Sequence, residues 1–105
     1  MRNYRKFRDT LIEDLKNDPE YAKAYLKVAL EEFEQERDTE HLMVALRNVA
    51  ESQGGIPALA ERLDMNKTSL YKALSEEGNP RLSTIGDILH GLGYRLSLEP
   101  INQVR

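Results

Sequence analysis

The sequence predicts a mainly α-helical fold, a small bundle built around a helix-turn-helix unit, with a helical extension before it and one short strand after it. Three observations carry that expectation. Apolar residues recur at helical spacing over most of the chain, as in Ala22, Leu26, Ala29, Leu30 and Phe33, which fall at offsets of 0, 4, 7, 8 and 11. Two short helical patterns, opened by Pro57 and by Lys67, are separated only by Asp64-Met65-Asn66, with small Ala60 where the two helices have to touch. And Tyr94–Leu98 alternates apolar and polar residues at the period of a strand.

Taken in order, Thr10-x-x-Glu13 has the spacing of a capping box, and Leu11, Ile12 and Leu15 follow as a short apolar turn. Asn17-Asp18-Pro19 breaks the chain and restarts it, since Asp18 can accept from free N–H groups and Pro19 suits the first helical position, where its missing N–H is not needed. The helix over 19–36 follows. Asp38 or Thr39 starts the next, with Leu42, Ala45, Leu46 and Val49 on one face, and Gly54-Gly55 stops it. Pro57 opens a short helix with Leu59, Ala60 and Leu63 inward, and Asn66 caps another over Lys67–Ser75. Gly78-Asn79-Pro80 is loop punctuation. A last helix, starting near Leu82 or Ser83, turns Ile85, Ile88, Leu89 and Leu92 inward and stops at Gly91 or Gly93. Tyr94–Leu98 is the strand, ended by Pro100. A lone strand leaves its own backbone groups unpaired, so a second copy of it in a homodimer is the economical partner. The resulting organisation is a helical extension over 1–38, a helix-turn-helix domain with its strand over 39–99, and a tail over 100–105.

Composition narrows the class. At 105 residues the chain is one domain's worth, and its 40% hydrophobic content with 6 Gly and 4 Pro is that of a globular protein. No cysteine is present, which excludes disulfides and thiolate chemistry and disfavours zinc. Arg2, Arg5, Lys6 and Arg8 are followed by no apolar run of the signal-peptide kind, and no stretch approaches the roughly 18 apolar residues that span a bilayer. A cytoplasmic protein without a membrane partner is the expectation. The net charge of −3 argues mildly against a nucleic-acid partner. The acidic excess, however, lies in residues 1–55, with 9 Lys/Arg against 12 Asp/Glu, whereas residues 56–105 hold 6 of each. Glu31–Glu40 carries six acids and one base, which is either a solvated helix end or a surface for a basic partner.

The second helix of the pair has the dimensions and chemistry for a DNA major groove. Eight or nine residues make about 13 Å of helix for a groove about 12 Å wide. With Leu70 and either Ala73 or Leu74 inward, the outward positions are Lys67, Thr68, Ser69, Tyr71 and Lys72. Lys67 and Thr68 lie at the end that enters most deeply. Lysine donates to guanine O6 and N7, and threonine exchanges hydrogen bonds or packs its methyl group on thymine. Lys72 is placed for a base or a phosphate. Ser69, Tyr71 and Asn79 suit phosphate oxygens, as do the free N–H groups at the two helix starts. The same residues would also make an ordinary solvated face. Asp64 stands where such turns commonly need a positive φ, which aspartate tolerates better than most residues.

The run Ser69-Leu-Tyr-Lys-Ala-Leu-Ser75, followed by Gly78-Asn79-Pro80, Thr84 and Leu92-Gly93, resembles the HigA-like antitoxin family, also called probable addiction-module antidote proteins. The resemblance runs from about Asp9 to Leu98 and takes in Ala24-Tyr25-Leu26 and Ala29-Leu30-Glu31. It implies a helix-turn-helix of the Cro and lambda-repressor class in a dimeric antitoxin. Such a protein binds and neutralises a small basic toxin, a ribonuclease of the RelE/HigB class, and represses its own operon at an inverted-repeat operator. Lys67, Thr68, Ser69, Tyr71 and Lys72 would then contact double-stranded DNA, and Tyr94–Leu98 would be a dimer edge. A stand-alone phage-type repressor, or a protein-interaction module that has lost DNA binding, are the alternatives.

Catalysis is not expected. His41 and His90 sit near a helix start and a helix end and read as surface or packing residues, and no histidine pair, carboxylate spacing or glycine loop suggests a metal or cofactor. Tyr4, Tyr21, Tyr25, Tyr94 and Phe33 read as core or interface packing.

Overall fold

The computed structural model describes residues 2–75 and 78–102, with side chains from Arg5 onward, so the packing expected of Tyr4 and the last three residues of the tail lie outside the described residues. Six helices are present among them: α1 (Arg2–Asn17), α2 (Pro19–Glu36), α3 (Thr39–Ser52), α4 (Ile56–Leu63), α5 (Lys67–Ala73) and α6 (Leu82–Gly91).

The starts of α2, α3 and α5 are set by the same device. Asp18, Asp38 and Asn66 each hold an extended backbone, and each side-chain oxygen accepts from an N–H of the first turn: Tyr21 at 3.1 Å, Glu40 at 3.0 Å and Ser69 at 3.1 Å. The start expected at Thr10 does not exist. Residues 2–9 contain no glycine or proline and are already helical, so α1 runs through the position and the Thr10 hydroxyl donates to the Lys6 carbonyl at 3.1 Å.

Helix α3 is the centre of the packing. Leu42, Met43, Ala45, Leu46, Val49 and Ala50 are all buried, along an arc wider than the single stripe of a surface helix. α1 and α2 pack on α3 and on each other; α4 packs on α3, and α5 and α6 pack on α4. Leu15, Ala22, Leu26 and Ala29 close the core on one side, and Ile56, Leu59, Ala60, Leu70, Leu74, Ile85, Ile88, Leu89 and Leu92 on the other. Tyr25, Phe33 and Tyr94 are half-buried against this core, whereas Tyr21 is exposed.

Three chain reversals share one closure. After α3, α4 and α6, a residue at positive φ lets a backbone N–H reach five residues back: Gly55 to Ala50 at 2.9 Å, Met65 to Ala60 at 2.9 Å and Tyr94 to Leu89 at 2.8 Å. The residues at positive φ in these turns are Gly54 and Gly55 after α3, Asp64 after α4 and Gly93 after α6. The turn between α4 and α5 thus has the closure that glycine serves elsewhere, with aspartate in its place at φ 54.

The end of α6 is tied down by side chains. Arg62 Nε donates to the Gly91 carbonyl at 3.0 Å, Gln53 Nε2 donates to the Leu92 carbonyl at 3.0 Å, and Arg62 Nη2 donates to Gln53 Oε1 at 3.3 Å. Gly91 is therefore not the stop itself. It lets α6 approach α4, since a Cβ there would lie 2.7 Å from Leu59 Cδ1 and 2.8 Å from Leu63 Cδ2.

The expected strand at Tyr94–Leu98 is not found. No described residue offers it a partner strand, and alternation without a ladder leaves irregular chain whose backbone groups face solvent. Leu96, Leu98 and Ile101 are left exposed.

Two substitutions test these closures in denaturant unfolding. Asp64→Gly removes the strain of a side chain at positive φ and should raise stability by about 0.5–1 kcal/mol. Gly91→Val should lower it by about 1–3 kcal/mol, because the branched side chain has to displace buried Leu59.

Candidate nucleic-acid interface

α5 is short but firmly placed. It covers Lys67–Ala73, two residues fewer than the spacing suggests, so its axis is about 10 Å long. Leu70 and Leu74 are both fully buried and Ala73 is half-buried, which fixes the rotation of the helix. At 100° per residue, Lys72 then lies opposite the buried side, with Thr68 and Ser69 beside it and Tyr71 at one edge. Lys67, seven residues before Leu74, stands instead over the buried side and is exposed as the first residue of the helix. All five side chains are exposed, Tyr71 by 49%. No acidic residue lies on α5. One cation, two hydroxyl groups and a phenol therefore share the solvent side of α5, and a second cation, Lys67, is exposed at its N-terminal end.

The polar ends of α5 are also arranged. Asn66 takes the Ser69 N–H, and the N–H groups of Lys67 and Thr68 have no acceptor within the helix. At the start of α4, no side chain caps the helix and Pro57 brings no N–H, so the free donors there are the N–H groups of Ile56 and Ala58. Asn79 is exposed in the loop after α5. Its neighbour Gly78 donates to the Ser75 carbonyl at 2.9 Å and sits so close to α5 that a Cβ there would run into the Ala73 carbonyl oxygen. The glycine of Gly-Asn-Pro thus brings Asn79 to the C-terminal end of α5, at the far end from Lys67 and Thr68.

One residue that matters for the site does not stand out in the local pattern. Arg47 on α3 is half-buried, and its Nη1 donates to the Leu74 carbonyl at the end of α5. A cation bonded to a C-terminal carbonyl satisfies a group the helix cannot pair itself and is favoured there by the helix dipole. Arg47 is the one charged residue between Leu42 and Ala50, and that was the available signal. Beside it, Asn48 Nδ2 donates to the Tyr25 hydroxyl at 3.0 Å, linking α3 to α2.

His41 and His90 are both exposed, and His41 Nδ1 lies 3.4 Å from Asp38 Oδ2. Among the described residues no group of three or more His, Asp or Glu could hold a metal ion, and no helix is long and apolar enough to cross a membrane.

A family model described as probable addiction module antidote protein matches residues 6–100, which include all six helices' packing faces and the whole of α5. No curated protein and no solved structure matches the chain.

Arg47→Met keeps the aliphatic stem and removes the bond to Leu74. Losing a charge-assisted hydrogen bond should lower stability by about 1.5–3 kcal/mol, and amide hydrogen exchange should quicken in α5 more than in α2. Equal quickening in both helices would mean that Arg47 does not hold α5 in particular.

Proposed function

The chain belongs to the probable addiction module antidote family, and we propose that it is the antitoxin of a type II module, which neutralises a small basic ribonuclease toxin of the RelE/HigB class and represses its own operon. It works by binding, not catalysis, and in the cytoplasm, where promoter and toxin are both reached. α4, its turn and α5 act as a helix-turn-helix of the lambda-repressor class, with α5 in the major groove.

The observation that carries the DNA part of this reading is the solvent face of α5. Lys67 and Thr68 are at the end of the helix that reads base edges in this docking mode. Lys72, opposite the buried side, reaches a base or a phosphate, and Ser69, Tyr71 and Asn79 serve phosphate oxygens, which fix register. The full burial of Leu70 and Leu74 and the bond from Arg47 support this, because a reading helix has to be held at one rotation to place its side chains. Dimerisation is supported by exposed Leu96 and by Leu98, which is 97% exposed: a second copy can cover these apolar side chains. Two copies would read an inverted repeat with half-sites about 34 Å apart.

The reading is tested in two steps. Expressing each small reading frame beside this one, alone and with this chain, should give one product that arrests growth alone and that this chain neutralises by forming a complex with it. On the promoter, Lys67→Ala/Lys72→Ala should weaken binding at least about thirtyfold, since each lost base contact costs about 1–3 kcal/mol. Wild-type affinity should fall with salt at a log–log slope of about −0.9 per phosphate contact. A flat salt response, or an unchanged double variant, would remove α5 from the groove and leave a protein-interaction module.

A further inference from the structure

We propose that the outward face of α2 is the docking surface for the toxin, an inference that rests on the antitoxin reading and assigns the second partner a place in the fold. α2 buries one side only, through Ala22, Leu26 and Ala29, with Leu30 and Phe33 half-buried. On the opposite side a surface helix normally carries polar residues alone. Here Tyr21, Ala24 and Val28 are exposed in line, Tyr21 by 40% and Val28 by 50%. Tyr21 is not loose, since its ring lies 6.4 Å from that of Tyr25, whose hydroxyl accepts from Asn48. The line continues into Glu31, Glu32 and Gln35, all exposed. One ridge about 21 Å long is therefore largely apolar over its first half, with Lys27 at its border, and acidic over its second.

The acidic half is placed against its own helix. Glu31, Glu32, Glu34 and Glu36 lie toward the C-terminal end, where the helix dipole disfavours negative charge, and the last turn holds no basic residue. Arg37 follows, but its guanidinium stacks 5.8 Å from the Phe33 ring centroid. The ion pair found among the described residues is His41 with Asp38; Lys27 stands one turn before Glu31, and the four glutamates still outnumber the cations beside them. A cationic partner would offset that arrangement. A second copy of this chain fits the ridge less well: parallel apposition sets acids against acids, and antiparallel apposition sets Tyr21 and Val28 against carboxylates, with only Lys23 and Lys27 to meet four glutamates. A protein with an apolar patch beside a cluster of lysine or arginine fits both halves. A ribonuclease has such a cluster, because it holds RNA phosphates, and carboxylates docked there occupy the cations that the RNA needs.

The test uses the full chain and, as probe, the purified growth-arresting product of the adjacent reading frame. Val28→Arg/Glu31→Lys/Glu32→Lys changes only exposed positions, and lysine near a helix C-terminus suits the dipole, so the variant should melt as the wild type does. Calorimetry should show toxin binding weakened at least about a hundredfold, with growth rescue lost. Asp14→Lys/Asp87→Lys, which changes charge on α1 and α6, should bind as the wild type does. If the α2 variant binds and rescues like the wild type, the docking surface is overturned and the antitoxin reading stands. If the α2 variant instead changes the oligomeric state of the free chain, the face belongs to a second copy and the proposal falls. If no adjacent product arrests growth, the antitoxin reading fails and the docking surface with it.

Discussion

The fold depends on α3 being buried on more than one side at once. Eight of its residues are buried, including the polar Asn48 and Ser52. A fully buried aliphatic side chain stabilises by about 1.5–3 kcal/mol relative to leaving it exposed, and Leu46, Val49 and Met43 lie almost entirely out of solvent. No single neighbour covers this arc. α1 and α2 take one part of it and α4 another, so the helices before α3 and those after it are stabilised through the same side chains. A chain of this length buries only about two-thirds of the surface exposed by its unfolded form, and a shared central helix is how both ends obtain a core.

Apolar burial does not fix direction, and the hydrogen bonds at the rim of α3 do. Arg47 and Asn48 are adjacent in sequence but stand at the two edges of the buried arc, one reaching the end of α5 and the other the Tyr25 hydroxyl on α2. Gln53, just past the end of α3, does the same for α6 together with Arg62. Each of these bonds ends on a group that its own helix or ring cannot satisfy alone. They specify where each helix ends and how it is turned, which burial by itself leaves loose. For α5 that combination is what keeps Lys72 facing solvent: Leu70 and Leu74 set the rotation, and Arg47 holds the end.

What the sequence made legible follows the range of the interaction. Asp18, Asp38 and Asn66 act within three residues of themselves, and the starts of α2, α3 and α5 are where those residues put them. The outward positions Thr68, Ser69, Tyr71 and Lys72 on α5 were legible because Leu70 and Leu74 mark the inward side at helical spacing. Lys67 falls on the inward side by that spacing and is exposed because α5 begins there. Thr10-x-x-Glu13 misled because a capping box works only where the preceding chain is not helical, and nothing in residues 2–9 stops a helix. Tyr94–Leu98 misled because a strand is a property of two segments, and the described chain holds one. Arg47 to Leu74, 27 residues apart, and Gly91 against Leu59 are long-range facts that no local window contains.

Net charge is a poor guide for a molecule arranged this way. α2 and α5 do not touch; the packing runs from α2 to α3, from α3 to α4 and from α4 to α5. Each packed helix pair separates axes by about 8–10 Å, while exposed charges are screened over about 8 Å at physiological salt. The outward glutamates of α2 and the lysines of α5 are thus on helices that do not pack together, and a partner at either face meets chiefly the local sign. The total of −3 averages two surfaces of opposite character. An anionic polymer and a cationic protein can each find a matching potential on a chain of 105 residues without competing for it.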